Sequence, residues 1–311
     1  MEIRKGCEKD LPQIISLLKA SLGESMIPKS LNLWKWKHIN NPFGASPFLV
    51  AEENGEVIGL RAFLRWEFLL HDQVIKACRA VDTSVHPDFQ GRGIFNKLTL
   101  ALIDQIKEEG IDLIFNTPNA ESMPGYLKMD WMKWGKLPLK LDFHLTSGKN
   151  KHPLQPDSWN KIEQLVSKLE KEDLSKSHQT NIRKGYLKWR YLDCPLFPYY
   201  FISDESSYLL FYRIKEGKMG RELRIVDLFT LNTFEGKQKT ELKKALKSAQ
   251  RLSGARFTSF SGLVYPNQSA LVLGSLPILK AGPMVTLREV AESIDPMEID
   301  WTWSLGDLEV F

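Results

Sequence analysis

The segment that decides the fold is residues 80–100, with the sequence AVDTSVHPDFQGRGIFNKLTL. Val81, Thr83 and Val85 alternate with polar residues in a period of two, which predicts a β-strand. Pro87 ends this strand, because proline disfavours helical backbone in the residue before it and donates no ladder hydrogen bond. The apolar residues that follow recur at helical spacing and predict an amphipathic helix; they are Ile94, Leu98, Ala101, Leu102 and Ile106.

A glycine-containing turn, Gln90-Gly91-Arg92-Gly93, connects this strand to the helix. The first N–H groups of a helix have no intrahelical acceptor, the helix dipole favours negative charge, and glycine lets an anion approach the backbone. The pattern therefore predicts a phosphate-binding loop, and a plain strand-to-helix turn is the alternative. A Rossmann fingerprint would need a further glycine where Asn96 stands, and it would leave the antiparallel strands predicted upstream unexplained.

Length and composition limit the function classes. A chain of 311 residues is long enough for two domains, and 43% hydrophobic and 26% charged residues are typical of a soluble globular protein. No apolar run approaches the length of a membrane span, and the first ten residues lack a signal-peptide core, so we expect a cytoplasmic protein without a membrane partner. A net charge of +4 with scattered lysines does not indicate nucleic-acid binding.

Three cysteines at unrelated spacings, Cys7, Cys78 and Cys194, predict neither a disulfide framework nor a metal site. The remaining patterns predict the following order of elements: a helix from Asp10 to about Gly23, a helix over 30–40, strands at 48–53, 57–63, 65–70 and 74–85, the loop and its helix up to Gly110, a buried strand at 112–116, a helix from Asn119 past Tyr126, and one or two strands within 132–143. Asn54-Gly55 predicts the tight turn of a hairpin between the first two strands.

This order, together with two motifs, resembles the GNAT superfamily of acyl-CoA-dependent N-acyltransferases over about residues 1–145. The acyl-CoA motif of that family, Arg/Gln-x-x-Gly-x-Gly/Ala, is similar to residues 90–95, with Phe95 in place of the usual small last residue. The later pattern of a tyrosine followed by Gly-Phe is similar to residues 126–131, with Asp130 in place of the glycine. Aspartate tolerates left-handed backbone better than most residues, so this second departure is mild.

The resemblance implies an α/β fold with a mixed sheet and an enzyme that transfers an acetyl or other acyl group from acetyl-CoA or another acyl-CoA. By family analogy, the acceptor would be the primary amine of a small molecule such as an amino sugar. The resemblance implies no metal. Attack would be direct, in a ternary complex. Residues implied in holding the co-substrate are the strand residues Val81, Thr83 and Val85, the loop residues Gln90, Gly91, Arg92, Gly93, Ile94 and Phe95, and the flanking Asn116 and Asn119.

Two residues are implied in the chemistry. Tyr126 occupies the position of the family's general acid, which protonates the departing thiolate. Asp82 is the candidate base, because it lies on the right strand and a carboxylate beside an apolar cleft can have a raised pKa. His86, Glu67, Glu121, His144 and a water relay are the alternatives for the base, and Asn119 could serve only as a helix cap.

The second half of the chain repeats the first more faintly. LWKWKHINNPF (33–43) aligns with YLKWRYLDCPL (186–196), and VDTSVHPDFQGRG (81–93) aligns with VDLFTLNTFEGKQ (226–238). The second copy keeps the aspartate, as Asp227, and replaces the loop by Glu-Gly-Lys-Gln, which would repel a pyrophosphate. We therefore expect a catalytic domain at 1–146, a linker at 147–156, and a degenerate GNAT-like domain at 157–311 that shapes the acceptor site.

Two alternatives to this function come from other classes. One is a tandem GNAT-fold protein that binds CoA, or acts as a scaffold, without turnover; Phe95 and Asp130 are the departures that support it. The other is a Fem-type aminoacyl transferase, which also pairs two GNAT-like folds but has no need of this glycine loop in its first half. The sequence does not identify the oligomeric state.

Overall fold

The structure is a computed structural model that describes residues 1–23, 27–70, 73–144, 158–171, 179–231, 234, 236–262, 277–292 and 294–308. The chain divides into two compact units. Unit 1 consists of Met1–Gly135 and Met284–Asp300, and unit 2 consists of Lys136–Pro283 and the segment that begins at Trp301. Each unit is built on its own β-sheet.

The helices are α1 (Leu11–Leu22), α2 (Leu31–Trp34), α3 (Ile94–Glu108), α4 (Met123–Leu127), α5 (Glu163–Leu169), α6 (Gly236–Ser253) and α7 (Leu305–Leu308). The strands are β1 (Glu2–Lys5), β2 (Phe48–Glu53), β3 (Glu56–Leu70), β4 (Gln73–Val85), β5 (Leu113–Asn116), β6 (Met132–Lys136), β7 (Leu139–Phe143), β8 (Gln179–Thr180), β9 (Tyr200–Ser203), β10 (Tyr208–Gly217), β11 (Gly220–Thr230), β12 (Phe257–Ser261) and β13 (Met284–Glu289).

The sheet of unit 1 has the order β1-β2-β3-β4-β5-β13-β6. Its β2–β3 hairpin turns through Asn54 and Gly55, whose φ angles of 54° and 83° are left-handed, which confirms the predicted tight turn. The predicted strands at 57–63 and 65–70 are wrong as two strands, because β3 pairs with β4 from Gly59 to Leu70 in one ladder. A register shift between Arg61 and Ala62 interrupts this ladder without ending it.

Helices cover both faces of this sheet. Side chains of β2 and β3 alternate between the faces, because successive strand residues point in opposite directions. Val50, Leu60 and their neighbours pack against α1, whereas Leu49, Phe63 and their neighbours pack against α3 and α4. The strand–loop–helix segment from β4 to α3 therefore lies over a closed apolar core.

The sheet of unit 2 has the order β7-β12-β11-β10-β9, with α6 packed on it. β11 and β12 are parallel and are connected through α6, just as β4 and β5 are parallel and connected through α3. Each unit also has one turn of π-helix, at Lys35–Ile39 in unit 1 and at Lys188–Leu192 in unit 2. These two turns fall within the aligned segments 33–43 and 186–196.

Each sheet contains one strand that is far in sequence from the strand it pairs with. β13 pairs antiparallel with β5 in unit 1, and β7 pairs antiparallel with β12 in unit 2. The compact units are therefore discontinuous, in contrast to the continuous ranges 1–146 and 157–311 expected from the sequence. The predicted linker at 147–156 lies outside the described residues.

Two kinds of feature are absent from the described residues. No helix among them is both long enough and apolar enough to cross a membrane. The same residues contain no group of three or more His, Cys, Asp or Glu side chains arranged to hold a metal ion.

Candidate functional site

The candidate site opens where β4 and β5 diverge. Their parallel ladder covers only Ala77–Arg79 of β4, against residues 113–115 of β5. β4 continues to Val85, so the edge of residues 80–85 that faces away from β3 has no strand partner among the described residues. A cavity of about 570 Å³ lies between this edge and the end of β5. Unpaired strand backbone of this kind can bind an extended, amide-containing ligand.

Most of the residues implied by the sequence line this cavity. They are Val81, Asp82, Thr83, Val85, Gln90, Phe95, Asn116, Asn119 and Tyr126. Gly91, Arg92, Gly93 and Ile94 are not among its lining residues and form the adjoining loop and helix start. The structure therefore brings the two groups of predicted residues together in one region of unit 1.

The glycine loop has the geometry of an anion site. Gly91 and Gly93 have φ angles of 78° and 72°, and a Cβ atom at either position would meet open space. The first hydrogen bond of α3 joins Lys97 N–H to the Gly93 carbonyl, and the N–H groups from Gly91 to Phe95 have no acceptor within the described residues. Ile94 is buried and fixes the helix start on the core. These free donors fit a diphosphate group.

The side chains of the loop have other partners. The Arg92 guanidinium lies 4.7 Å from the centre of the Phe89 ring and 3.7 Å from a Glu53 carboxylate oxygen. Gln90 donates to the Val85 carbonyl at 3.3 Å, which ties the loop to the end of β4. The backbone, and not these side chains, therefore supplies the free donors of the loop.

Asn116 and Asn119 differ in how they are held. Asn116 is buried, and its Oδ1 accepts a hydrogen bond from the Thr286 hydroxyl on β13, so its amide NH₂ is the group left for a ligand. Asn119 Oδ1 accepts from the Ser122 N–H and from the Ser122 hydroxyl, both at 2.8 Å. Asn119 thus caps the turn that leads into α4, as the simpler interpretation of the sequence expects.

Tyr126 lies on α4, packs its ring in the core and is one of the residues that line the cavity. Its ring centre is 5.6 Å from that of Phe95 and 5.0 Å from that of Trp131. The hydroxyl accepts a hydrogen bond of 2.9 Å from Nη1 of Arg61, a fully buried residue of β3. A hydroxyl held in this way can still donate its own proton toward a ligand.

Asp82 lies in a buried charge cluster. It has a φ of 43° at the register shift of β4, and its Oδ2 accepts hydrogen bonds of 2.8 Å from both Lys37 Nζ and His38 Nε2. Lys37 and His38 are 2% exposed, and burial lowers the pKa of each. They belong to the π-helical turn after α2.

The same contacts determine the acidity of Asp82. Burial by itself raises the pKa of Asp82, but the Lys37 charge and the His38 hydrogen bond outweigh burial and hold this pKa well below its usual value. A carboxylate with so low a pKa takes up a proton poorly at neutral pH. This geometry argues against the role of base that the sequence led us to expect for Asp82, and favours a structural role.

Sequence reasoning missed Lys37, His38 and Arg61. The signal for the first two was present in the aligned segments, because the counterparts Arg190 and Tyr191 lie in the π-helical turn of unit 2. Tyr191 donates to the Asp227 carboxylate just as His38 bonds Asp82. Arg61 gave no signal, because a single arginine within an apolar strand indicates neither its face nor its burial.

Comparison with known proteins identifies the family of the first part of the chain. Residues 2–133 match the family model described as acetyltransferase (GNAT) domain. This part of the chain is a GNAT domain. No match was found among curated proteins.

Solved structures resemble a larger part of the chain. The chain is similar to a GCN5-related N-acetyltransferase from Anabaena variabilis ATCC 29413, with 16% identity, a TM-score of 0.63, and coverage of 93% of this chain and 73% of that chain. It is also similar to a GCN5-related N-acetyltransferase from Kribbella flavida, with 12% identity, a TM-score of 0.62, and coverage of 93% of this chain and 71% of that chain. A third similar structure is Eis1 from Mycobacterium abscessus, with 13% identity, a TM-score of 0.58, and coverage of 93% of this chain and 73% of that chain. At these identities the likeness shows a shared fold.

Asp130 and Phe95, the two departures from the family motifs, are each accommodated by their surroundings. Asp130 has a φ of 67°, so an aspartate adopts the left-handed backbone that a glycine would supply, 3.7 Å from the Arg288 guanidinium. Phe95 packs against Gly125, where a Cβ atom would lie only 3.0 Å from the Phe95 ring. The larger residue at 95 is therefore accommodated by the absence of a side chain at 125.

Proposed function

We propose that this protein is an acyl-CoA-dependent N-acyltransferase that moves an acetyl or other acyl group onto the primary amine of a small molecule. The observation that carries the proposal is the cavity between β4 and β5 together with the glycine loop beside it. An unpaired strand edge and Tyr126 line the cavity, and the adjoining loop has free N–H groups. An acyl-CoA needs these three features at its pantetheine, its sulfur and its pyrophosphate, respectively.

Binding would use the backbone more than side chains. The N–H groups from Gly91 to Phe95 would hold the pyrophosphate, and the β4 edge from Val81 to Val85 would bond the pantetheine amides. A strand N–H beside the thioester carbonyl would stabilise the negative charge that develops on its oxygen. Asn116 would contribute its amide NH₂ from the opposite wall of the cavity.

The chemistry needs one acid at the sulfur. The amine nitrogen forms a bond to the carbonyl carbon, the carbon–sulfur bond breaks, and its electron pair stays on sulfur. Tyr126 then gives its hydroxyl proton to the thiolate and regains a proton from solvent. The acceptor nitrogen releases two protons to water: the ammonium proton before the attack, and one N–H proton as the amide forms. Placement of amine and thioester side by side supplies much of the rate.

The lining of the cavity favours a cationic acceptor. Its charged lining residues among the described part of the chain are Asp82 and Glu121, both acidic. Asp82 is neutralised by Lys37, so Glu121 is the carboxylate that would attract an ammonium group, such as that of an amino sugar.

Replacement of Glu121 by glutamine should therefore raise KM for the amine about fivefold, which corresponds to a solvated charge pair of about 1 kcal/mol. KM for acetyl-CoA should not rise. Glu108→Gln, which removes the same charge from the exposed end of α3, is the matched control and should leave both constants unchanged. An equal change of the amine KM in both variants would contradict this assignment.

The proposal is tested by thiol release from acetyl-CoA with amino sugars, aminoglycosides and simple alkylamines, and by calorimetry of loop variants. Gly91→Glu with Gly93→Glu should weaken acetyl-CoA binding by about tenfold or more, because two carboxylates would oppose the pyrophosphate. Gly110→Glu is the matched control, since Gly110 has the same left-handed backbone (φ 73°) and the same open surroundings at the other end of α3. Unchanged affinity in the double loop variant would refute the CoA site.

The thiol-release assay also separates the proposal from a binding protein without turnover. Such a protein would bind acetyl-CoA in the calorimeter but release no thiol with any amine. For unit 2 we propose a degenerate, non-catalytic role, because the counterpart of the glycine loop has Gln238 where the first copy has Gly93. Glu235 of that counterpart lies outside the described residues.

A further inference from the structure

Arg61 is a fully buried cation without an ion pair among the described residues. Its guanidinium lies 4.7 Å from the ring centre of Phe63, 5.6 Å from that of Phe95 and 5.3 Å from that of Tyr126. Two of its nitrogens, Nε and Nη2, have no hydrogen-bond partner in the described part of the chain. A buried charge with so few partners is costly, and such cost concentrates at functional sites.

The one nitrogen of Arg61 with partners points at the cavity wall. Nη1 donates to the Tyr126 hydroxyl and to the Thr83 hydroxyl, and both of these side chains line the cavity. Arginine keeps its charge at any relevant pH and cannot accept a hydrogen bond. Its presence therefore fixes the direction of the Tyr126 hydroxyl, whose own proton must point away from Nη1.

From this geometry we infer that Arg61 is a positioning residue for Tyr126. It aims the Tyr126 proton into the cavity and stabilises the phenolate that remains after the proton has moved to the thiolate sulfur. This inference rests on the proposed function, because it assigns Arg61 a part in the protonation of the leaving group. It also gives a reason for a buried guanidinium that lies among three aromatic rings and has no ion pair within the described part of the chain.

A double-mutant cycle tests the inference. Arg61→Met should lower kcat about a hundredfold, as expected for the loss of a preorganised charge, with the Kd of acetyl-CoA unchanged within twofold. In a Tyr126→Phe background the same substitution should change kcat by less than about twofold, because its effect acts through the hydroxyl. Arg61→Lys should restore part of the lost kcat.

Thermal unfolding supplies a readout that does not depend on activity. Arg61→Met should leave Tm unchanged or higher, since it removes a buried charge that has no counter-ion among the described residues. Arg190→Met is the matched control: Arg190 is also fully buried, but it donates to the Gly306 carbonyl and, at 2.8 Å, to the Tyr199 hydroxyl. That control should lower Tm by several degrees and keep kcat per folded molecule.

The outcomes separate this inference from the proposed function. An equal loss of kcat in both backgrounds, or a drop in Tm as large as that of Arg190→Met, would make Arg61 a structural residue and overturn the inference. An active wild type with an equally active Arg61→Met variant would overturn the inference alone. A wild type that releases no thiol with any amine would overturn the proposed function first, and the inference with it.

Discussion

Asp82→Asn is expected to lower the free energy of unfolding by about 3 kcal/mol, because it leaves the buried Lys37 without its counter-ion. Asparagine tolerates the left-handed backbone of this position, so the substitution changes charge without adding strain. Urea denaturation measures the loss, and Asp82→Asn combined with Lys37→Met should recover most of it. Asp88→Asn, at an exposed position of the same segment, should change stability by less than about 0.5 kcal/mol.

The pH dependence of this effect has a defined sign. The folded-state pKa of Asp82 is depressed below 3.8, so its carboxylate stabilises the fold at pH values above about 4. The stability difference between wild type and Asp82→Asn should therefore be full near neutrality and should narrow as the pH falls below 4. A variant that unfolds like wild type but loses kcat more than a hundredfold would restore Asp82 as a catalytic candidate.

Tyr126→Phe is expected to lower kcat by about 10²-fold to 10⁴-fold, which is the range for loss of a general acid. The ring keeps its contacts with Phe95 and Trp131, so the Kd of acetyl-CoA should stay close to that of wild type. Thiol release measures kcat, and calorimetry measures Kd. Tyr208→Phe removes a hydroxyl from another buried tyrosine, in unit 2, and is the matched control. A Tyr126→Phe variant with kcat within threefold of wild type would exclude Tyr126 as the acid.

Local chemistry made part of this fold predictable from the sequence. The Asn54-Gly55 turn and the left-handed Asp130 follow from backbone preferences of single residues, and both are confirmed. The glycine loop and the amphipathic α3 follow from spacing within one segment, and α3 begins at Ile94, directly after Gly93. Features set by neighbouring residues in the chain were therefore accessible.

Features set by distant contacts were not accessible. The low pKa of Asp82 depends on Lys37 and His38, which are 45 and 44 residues away and reach it only through the π-helical turn. Arg61 meets Tyr126 across 65 residues, and its burial in an aromatic pocket cannot be inferred from its place in an apolar strand. The single long β3 was predicted as two strands, because its continuity is set by its pairing with β4.

The position of β13 late in the sequence also determines when unit 1 can be completed during synthesis. β5 needs β13 as its antiparallel neighbour, and Asn116 on β5 meets Thr286 on β13 across 170 residues. Contacts this far apart in sequence form late, and an unpaired strand edge can pair with other chains meanwhile. On the ribosome, the cavity wall that contains Asn116 can therefore form only after residues 284–289 have emerged. Until then the β5 edge of the nascent GNAT domain has to be protected from pairing with other chains.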